Sequence, residues 1–104
     1  MSYIYLINEL DTKNYKIGVT KSKHIEYRKL KLQTGNPKEL FVCKHFETKQ
    51  PYKLERMLHN HYFKTRLVGE WFKMEDDEAL CFITVCEKYQ KMIDYLLENN
   101  EFYN

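Results

Sequence analysis

The chain has 104 residues, enough for one domain with one core but not for a second folded unit. Apolar residues at 43% and charged residues at 31% exclude a disordered chain, and no run approaches the ~20 apolar residues that a membrane span needs. The net charge of +2 conceals an asymmetry: residues 1–73 carry 15 Lys/Arg against 7 Asp/Glu, and residues 74–104 carry 2 against 8. A basic excess suits a polyanionic partner, although a solvated lysine surface gives the same count. The apolar run at residues 3–7 is too short for a signal peptide and has no basic leader. The three cysteines form no C-x-x-C pair, so the expectation is an intracellular protein with reduced thiols, Cys43 and Cys86 lying in the core.

In chain order, residues 3–7 and 15–19 are short β-rich runs joined by the polar segment 8–14, the pattern of an antiparallel hairpin. Residues 22–33 are assigned a helix, with Ser22 to cap its start and Gly35-Asn36-Pro37 to stop it. Its apolar positions Ile25, Tyr27, Leu30 and Leu32 do not decide between helical and strand periods. A third strand is expected over residues 40–46. Pro51 opens a second helix that no breaker interrupts before Gly69, with Leu54, Met57, Leu58 and His61 as its buried stripe. A short apolar segment follows at residues 71–74. The acidic run 75–78 begins a last helix over residues 76–98, which buries Ala79, Phe82, Ile83, Cys86, Tyr89, Ile93 and Leu96 or Leu97. The order is β-β-α-β-α-(β)-α, in a single α+β domain.

Four segments then carry a family resemblance. Tyr3-Ile4-Tyr5 followed by Tyr15-Lys16-Ile17-Gly18 resembles the paired strands that name the GIY-YIG nuclease superfamily. Residues 28–37, containing Arg28 and Gln33-Thr34-Gly35-Asn36-Pro37, are similar to the helix and exit turn of its phage and virus branch. Glu55-Arg56-Met57-Leu58-His59 and Gly69-Glu70-Trp71-Phe72 resemble that branch's E-x-x-x-H and G-E-W-F segments. The resemblance implies a three-stranded antiparallel sheet flanked by helices and metal-dependent cleavage of DNA. By position, Tyr5 would activate or orient the attacking water, Arg28 would face the scissile phosphate, and Glu55 would hold Mg²⁺ (or Mn²⁺). Two positions depart from the pattern: Tyr3 replaces a glycine, and Lys16 stands where the second motif has tyrosine unless a bulge lets Tyr15 serve.

The chemistry of the side chains agrees with these roles. Phosphodiester hydrolysis needs an activated water, positive charge at the phosphorane and help for the leaving oxygen. An arginine fork suits phosphate, and a carboxylate is the hard oxygen donor that magnesium takes. A phenol is a poor base at its ordinary pKa of about 10, so Lys16, Arg28 or the metal would have to lower it. Glu55 and His59 share a helix face, and His59 could contact a phosphate or pass a proton. Tyr15, His24 and Glu70 are secondary candidates. Lys16, Lys21, Lys23, Arg28 and Lys31 are the candidate nucleic-acid contacts. Taken one at a time, a strand tyrosine such as Tyr5 is usually packing and Arg28 is usually surface charge. His59 and His61 diverge on a helix and do not form a zinc pair, and Trp71 reads as a core anchor.

The leading expectation is a DNA endonuclease, with DNA favoured over RNA, no membrane partner, and a homodimer or an accessory specificity protein as candidate assemblies. The alternative is a binding module of the same fold that does not cut. A third reading is an interaction protein whose acidic last helix docks onto a basic partner or a second copy.

Overall fold

The computed structural model describes residues 1–21, 33 and 38–99. Apart from Gln33, the expected helix over 22–33 and its stop at 35–37 lie outside the described residues. So do His24, Lys23, Arg28 and Lys31. The architecture is α+β, as the sequence implies, but the antiparallel sheet has four strands rather than three. Strands β1 (Ser2–Glu9), β2 (Asn14–Thr20), β3 (Leu40–Thr48) and β4 (Trp71–Lys73) lie in the order β3-β1-β2-β4. The apolar segment after Gly69 is the added strand: its Phe72 pairs with Tyr15 and its Trp71 with Lys16.

The β1–β2 hairpin turns through Asp11, a non-glycine residue at φ 62°. Polar side chains hold the turn: Thr12 Oγ1 donates to the Glu9 carbonyl at 2.6 Å, and Asn8 Nδ2 donates to the carbonyls of Thr12 and Asn14 at 3.1 Å. Asx and hydroxyl contacts of this kind explain why an Asn/Asp/Thr-rich segment closes a hairpin without glycine. Strand β3 carries one extra residue, Cys43, where its pairing with β1 shifts between Leu6 and Ile7. Its entry is tied by Gln33, which accepts from the Leu40 N–H and donates to the Lys38 carbonyl, both at 2.7 Å.

Central strand β1 is buried on both faces. Ile4 and Leu6 point into the main core with Tyr15, Ile17 and Phe72, while Tyr5 and Ile7 point to a second cluster with Leu40. A continuous apolar run, rather than an alternating one, is what two covered faces require. Helix α1 (Pro51–His61) supplies Leu54 and Leu58 to the main core. It ends earlier than expected. Phe63, Lys64, Thr65 and Arg66 are all exposed, so no apolar face repays further helix, and Thr65 Oγ1 bonds the Tyr62 carbonyl at 3.2 Å. A 3₁₀ turn at Phe63–Thr65 follows. His61 is not in the buried stripe; it is exposed, with Nδ1 2.8 Å from Tyr89 Oη.

The last helix is two helices, α2 (Asp76–Leu80) and α3 (Phe82–Asn99), with the break at Cys81 (φ −86°, ψ 2°). Glu75 caps α2 reciprocally with Glu78 and forms an ion pair with Lys13. The break turns the chain so that Phe82, Cys86 and Ile93 enter the core, with Ala79, Ile83, Tyr89 and Leu97 packed around them, while Leu80 and Cys81 stay exposed. Cys43 packs at the core's margin. No helix among the described residues is long and apolar enough to cross a membrane.

Gly69 adopts φ +56° with open space around its Cβ position. Gly69→Ala should therefore cost about 1 kcal/mol by backbone strain alone, read as a lower urea midpoint at unchanged m-value.

Candidate functional site

Strand register builds the centre of the site. Tyr5 on β1 stands opposite Gly18 on β2, and its ring lies over that glycine. A Cβ at position 18 would sit 2.2 Å from Tyr5 Oη and 2.4 Å from Cζ, so glycine is what admits the ring. Tyr5 is fully buried, and its hydroxyl has no hydrogen-bond partner among the described residues. An unsatisfied buried hydroxyl costs about 1–3 kcal/mol, a cost tolerated where a reactant, ion or water supplies the missing partner.

Lys16 lies two residues along β2 on the same face. Its Nζ is 2.9 Å from Glu70 Oε2, and its side chain is 13% exposed. The same ammonium stands 5.9 Å from the centroid of Trp71, its cross-strand neighbour. The Glu70 carbonyl accepts the Ile17 N–H at 3.1 Å, which fastens the loop before β4 to β2.

Helix α1 adds Glu55 and His59 from one face. The Glu55 and Glu70 carboxyls hydrogen-bond each other. Burial pushes Glu55 up to about 7, helped by the charge of Glu70 and by that hydrogen bond and opposed by Lys16. Near neutral pH the Glu55 carboxyl is therefore partly protonated. His59 Nε2 lies 3.1 Å from the Ile17 carbonyl, which can only accept, so Nε2 is the donor and Nδ1 is left for other chemistry. The ring is held against Phe72, centroids 5.1 Å apart.

Of the residues singled out by sequence, Lys16, Glu70 and Glu55 are joined by contacts, and His59 reaches the Ile17 carbonyl. Tyr5 covers Gly18 on the sheet face opposite the one that Leu54 and Leu58 of α1 pack against. Tyr15 does not join them. It pairs with Asn8 in a β1–β2 ladder without register shift, packs into the main core at 7% exposure, and its phenol is pushed up by burial. No bulge in β2 carries it to the Lys16 face. Lys21 is exposed just beyond β2. Two features escaped the sequence reading: the seating of Tyr5 on Gly18 and the contact between Glu55 and Glu70. A glycine inside a β-rich run was a signal for the first. Nothing local signalled the second, because its partners are on separate elements.

Among the described residues no set of three or more His, Cys, Asp or Glu converges on one point. Magnesium does not require such a cage, since it takes one or two carboxylates and keeps several waters. The Glu55–Glu70 pair has the right donor chemistry for it, with Lys16 as the competing cation.

A family model for the T5orf172 domain matches residues 2–87. The chain belongs to the T5orf172 domain family. The match covers the whole sheet and α1, hence every residue of the cluster, and the T5orf172 domain is phage-associated. No curated protein and no solved structure matches the chain.

Gly18→Ala should lower stability by about 1–3 kcal/mol in urea unfolding, and adding Tyr5→Leu should recover most of that loss. A second test follows from linkage. Folded Glu55 keeps its proton above the ordinary 4.5, so between pH 4.5 and about 7 the folded state binds more protons than the unfolded state. The Glu55 contribution to stability then falls as pH rises through that window. Glu55→Gln should flatten the fall by ~1 kcal/mol, allowing for solvent screening, in urea midpoints measured across the window.

Proposed function

We propose that this chain is a metal-dependent endonuclease that hydrolyses DNA phosphodiester bonds through a GIY-YIG-type site, with Mg²⁺ (or Mn²⁺) as cofactor. The observation that carries the reading is the meeting of Lys16, Glu70 and Glu55 at β2, with His59 on the Ile17 carbonyl and Tyr5 over Gly18 one strand position further on. Membership of a phage-associated domain family and the basic excess of residues 1–73 support it.

In this reading Glu55 would hold a divalent ion, with Glu70 beside it. When bound, the ion supplies positive charge to the phosphoryl and leaving oxygens. Tyr5 orients the attacking water through its hydroxyl, and Arg28 forks onto the scissile phosphate. Lys16 balances the carboxyl pair and contacts the phosphate once Glu70 is engaged elsewhere. His59, held through Nε2, passes a proton at Nδ1.

Two observations favour a second reading, a nucleic-acid-binding module of the same fold. Tyr5 is fully buried, and Lys16 already neutralises Glu70 as a cation would. Such a module binds by charge, without metal and with steep salt dependence.

Cleavage of labelled duplex, branched and single-stranded DNA separates the two. Products are expected with Mg²⁺ or Mn²⁺ and not with chelator, reduced roughly 100-fold or more by Glu55→Ala at unchanged circular dichroism. Intact DNA in every metal, with binding that collapses as salt rises, would replace the first reading by the second.

A further inference from the structure

Helix α3 buries one face through Phe82, Cys86 and Ile93 and leaves a second apolar stripe uncovered. Met92 is 45% exposed and Tyr95 66% exposed. With Lys91 and Leu96 they line a hollow of about 320 Å³ on two successive turns. The stripe begins where the T5orf172 match stops, at residue 87, so it belongs to a part of the helix beyond the matched domain.

The charges beside the stripe decide what fits it. Lys88, Lys91, Tyr95 and Glu98 lie along one flank at helical spacing, and all four are exposed. When two copies of a helix pack antiparallel, like flanks face each other. An axis passing at Ile93 sets Lys88 against the second copy's Glu98, and Lys91 against the second copy's Tyr95 ring. Each copy makes both contacts, so the pattern is self-complementary. Met92 of each copy then enters the hollow of the other, where sulfur meets the Tyr95 ring.

We propose that this face of α3 pairs antiparallel with the same face of a second copy, forming a two-fold dimer. The occupant is a second copy because reversed in direction the flank complements itself, with cations at its N-terminal end and an anion at its C-terminal end. None of these residues belongs to the cluster around β2, so the dimer stands or falls apart from the nuclease reading.

Sedimentation equilibrium of the full chain over a concentration series tests it. Wild type should form dimers, weakened by added salt. Lys88→Glu and Glu98→Lys should each weaken the dimer roughly tenfold, and the double exchange should restore it to near the wild-type constant. Tyr95→Ala should weaken it by at least about tenfold, with the fold verified by circular dichroism. A monomer at every concentration would overturn the proposal, and a different protein would then be the occupant. A dimer indifferent to the single reversals, or one that the double exchange does not rescue, would overturn it equally.

Discussion

The fold turns on the contact between the Tyr5 ring and Gly18. Central strand β1 must be covered on both faces, and on the second face the largest group to house is a tyrosine opposite its own partner strand. Glycine makes that possible by removing the side chain that would collide with the ring. In exchange the strand accepts the lower β propensity of glycine, and a phenol hydroxyl is buried without a hydrogen-bond partner among the described residues. Everything proposed about the site begins from that hydroxyl and from the strand positions either side of Gly18.

Electrostatics then sets the state in which the cluster rests. Two carboxyls and one ammonium converge, which leaves a net negative centre unless a proton or a further cation is taken up. Burial tips the balance towards the proton on Glu55. A divalent ion would bring twice the charge of Lys16, but it must shed water to enter, which magnesium does reluctantly. In the proposed reading, the cluster cuts or merely binds according to which cation Glu70 prefers, and Lys16 is always beside it. If the resemblance to GIY-YIG nucleases holds, the lysine at position 16 bears on the proposed chemistry more than on the shape.

Much of the fold was legible because its signals are local. Residues 3–7 and 15–19 announced the hairpin by β-branched and aromatic content, and Pro51 announced the start of α1. The fourth strand was hard to assign because three residues carry too little periodicity, and pairing with β2 makes it a strand. The early end of α1 and the break at Cys81 were invisible because no glycine or proline marks them; both are decided by where apolar partners lie in three dimensions. At the site, the E-x-x-x-H spacing made Glu55 and His59 legible as one helix face. Their meeting with Lys16 and Glu70 was not, since it depends on how α1 lies against β2.

Strand β4 is only three residues long, and that brevity has a consequence for solubility. A β2 edge with no neighbour presents open carbonyls and N–H groups on which a strand from another molecule can add. Beyond Lys16 this edge is closed by the Glu70 carbonyl on Ile17 N–H and by the His59 ring on the Ile17 carbonyl. Glu70 and His59, both proposed for chemistry, would therefore double as an edge guard. Selection on them would act through aggregation whatever the site does, and a chain without activity would still have reason to keep the histidine.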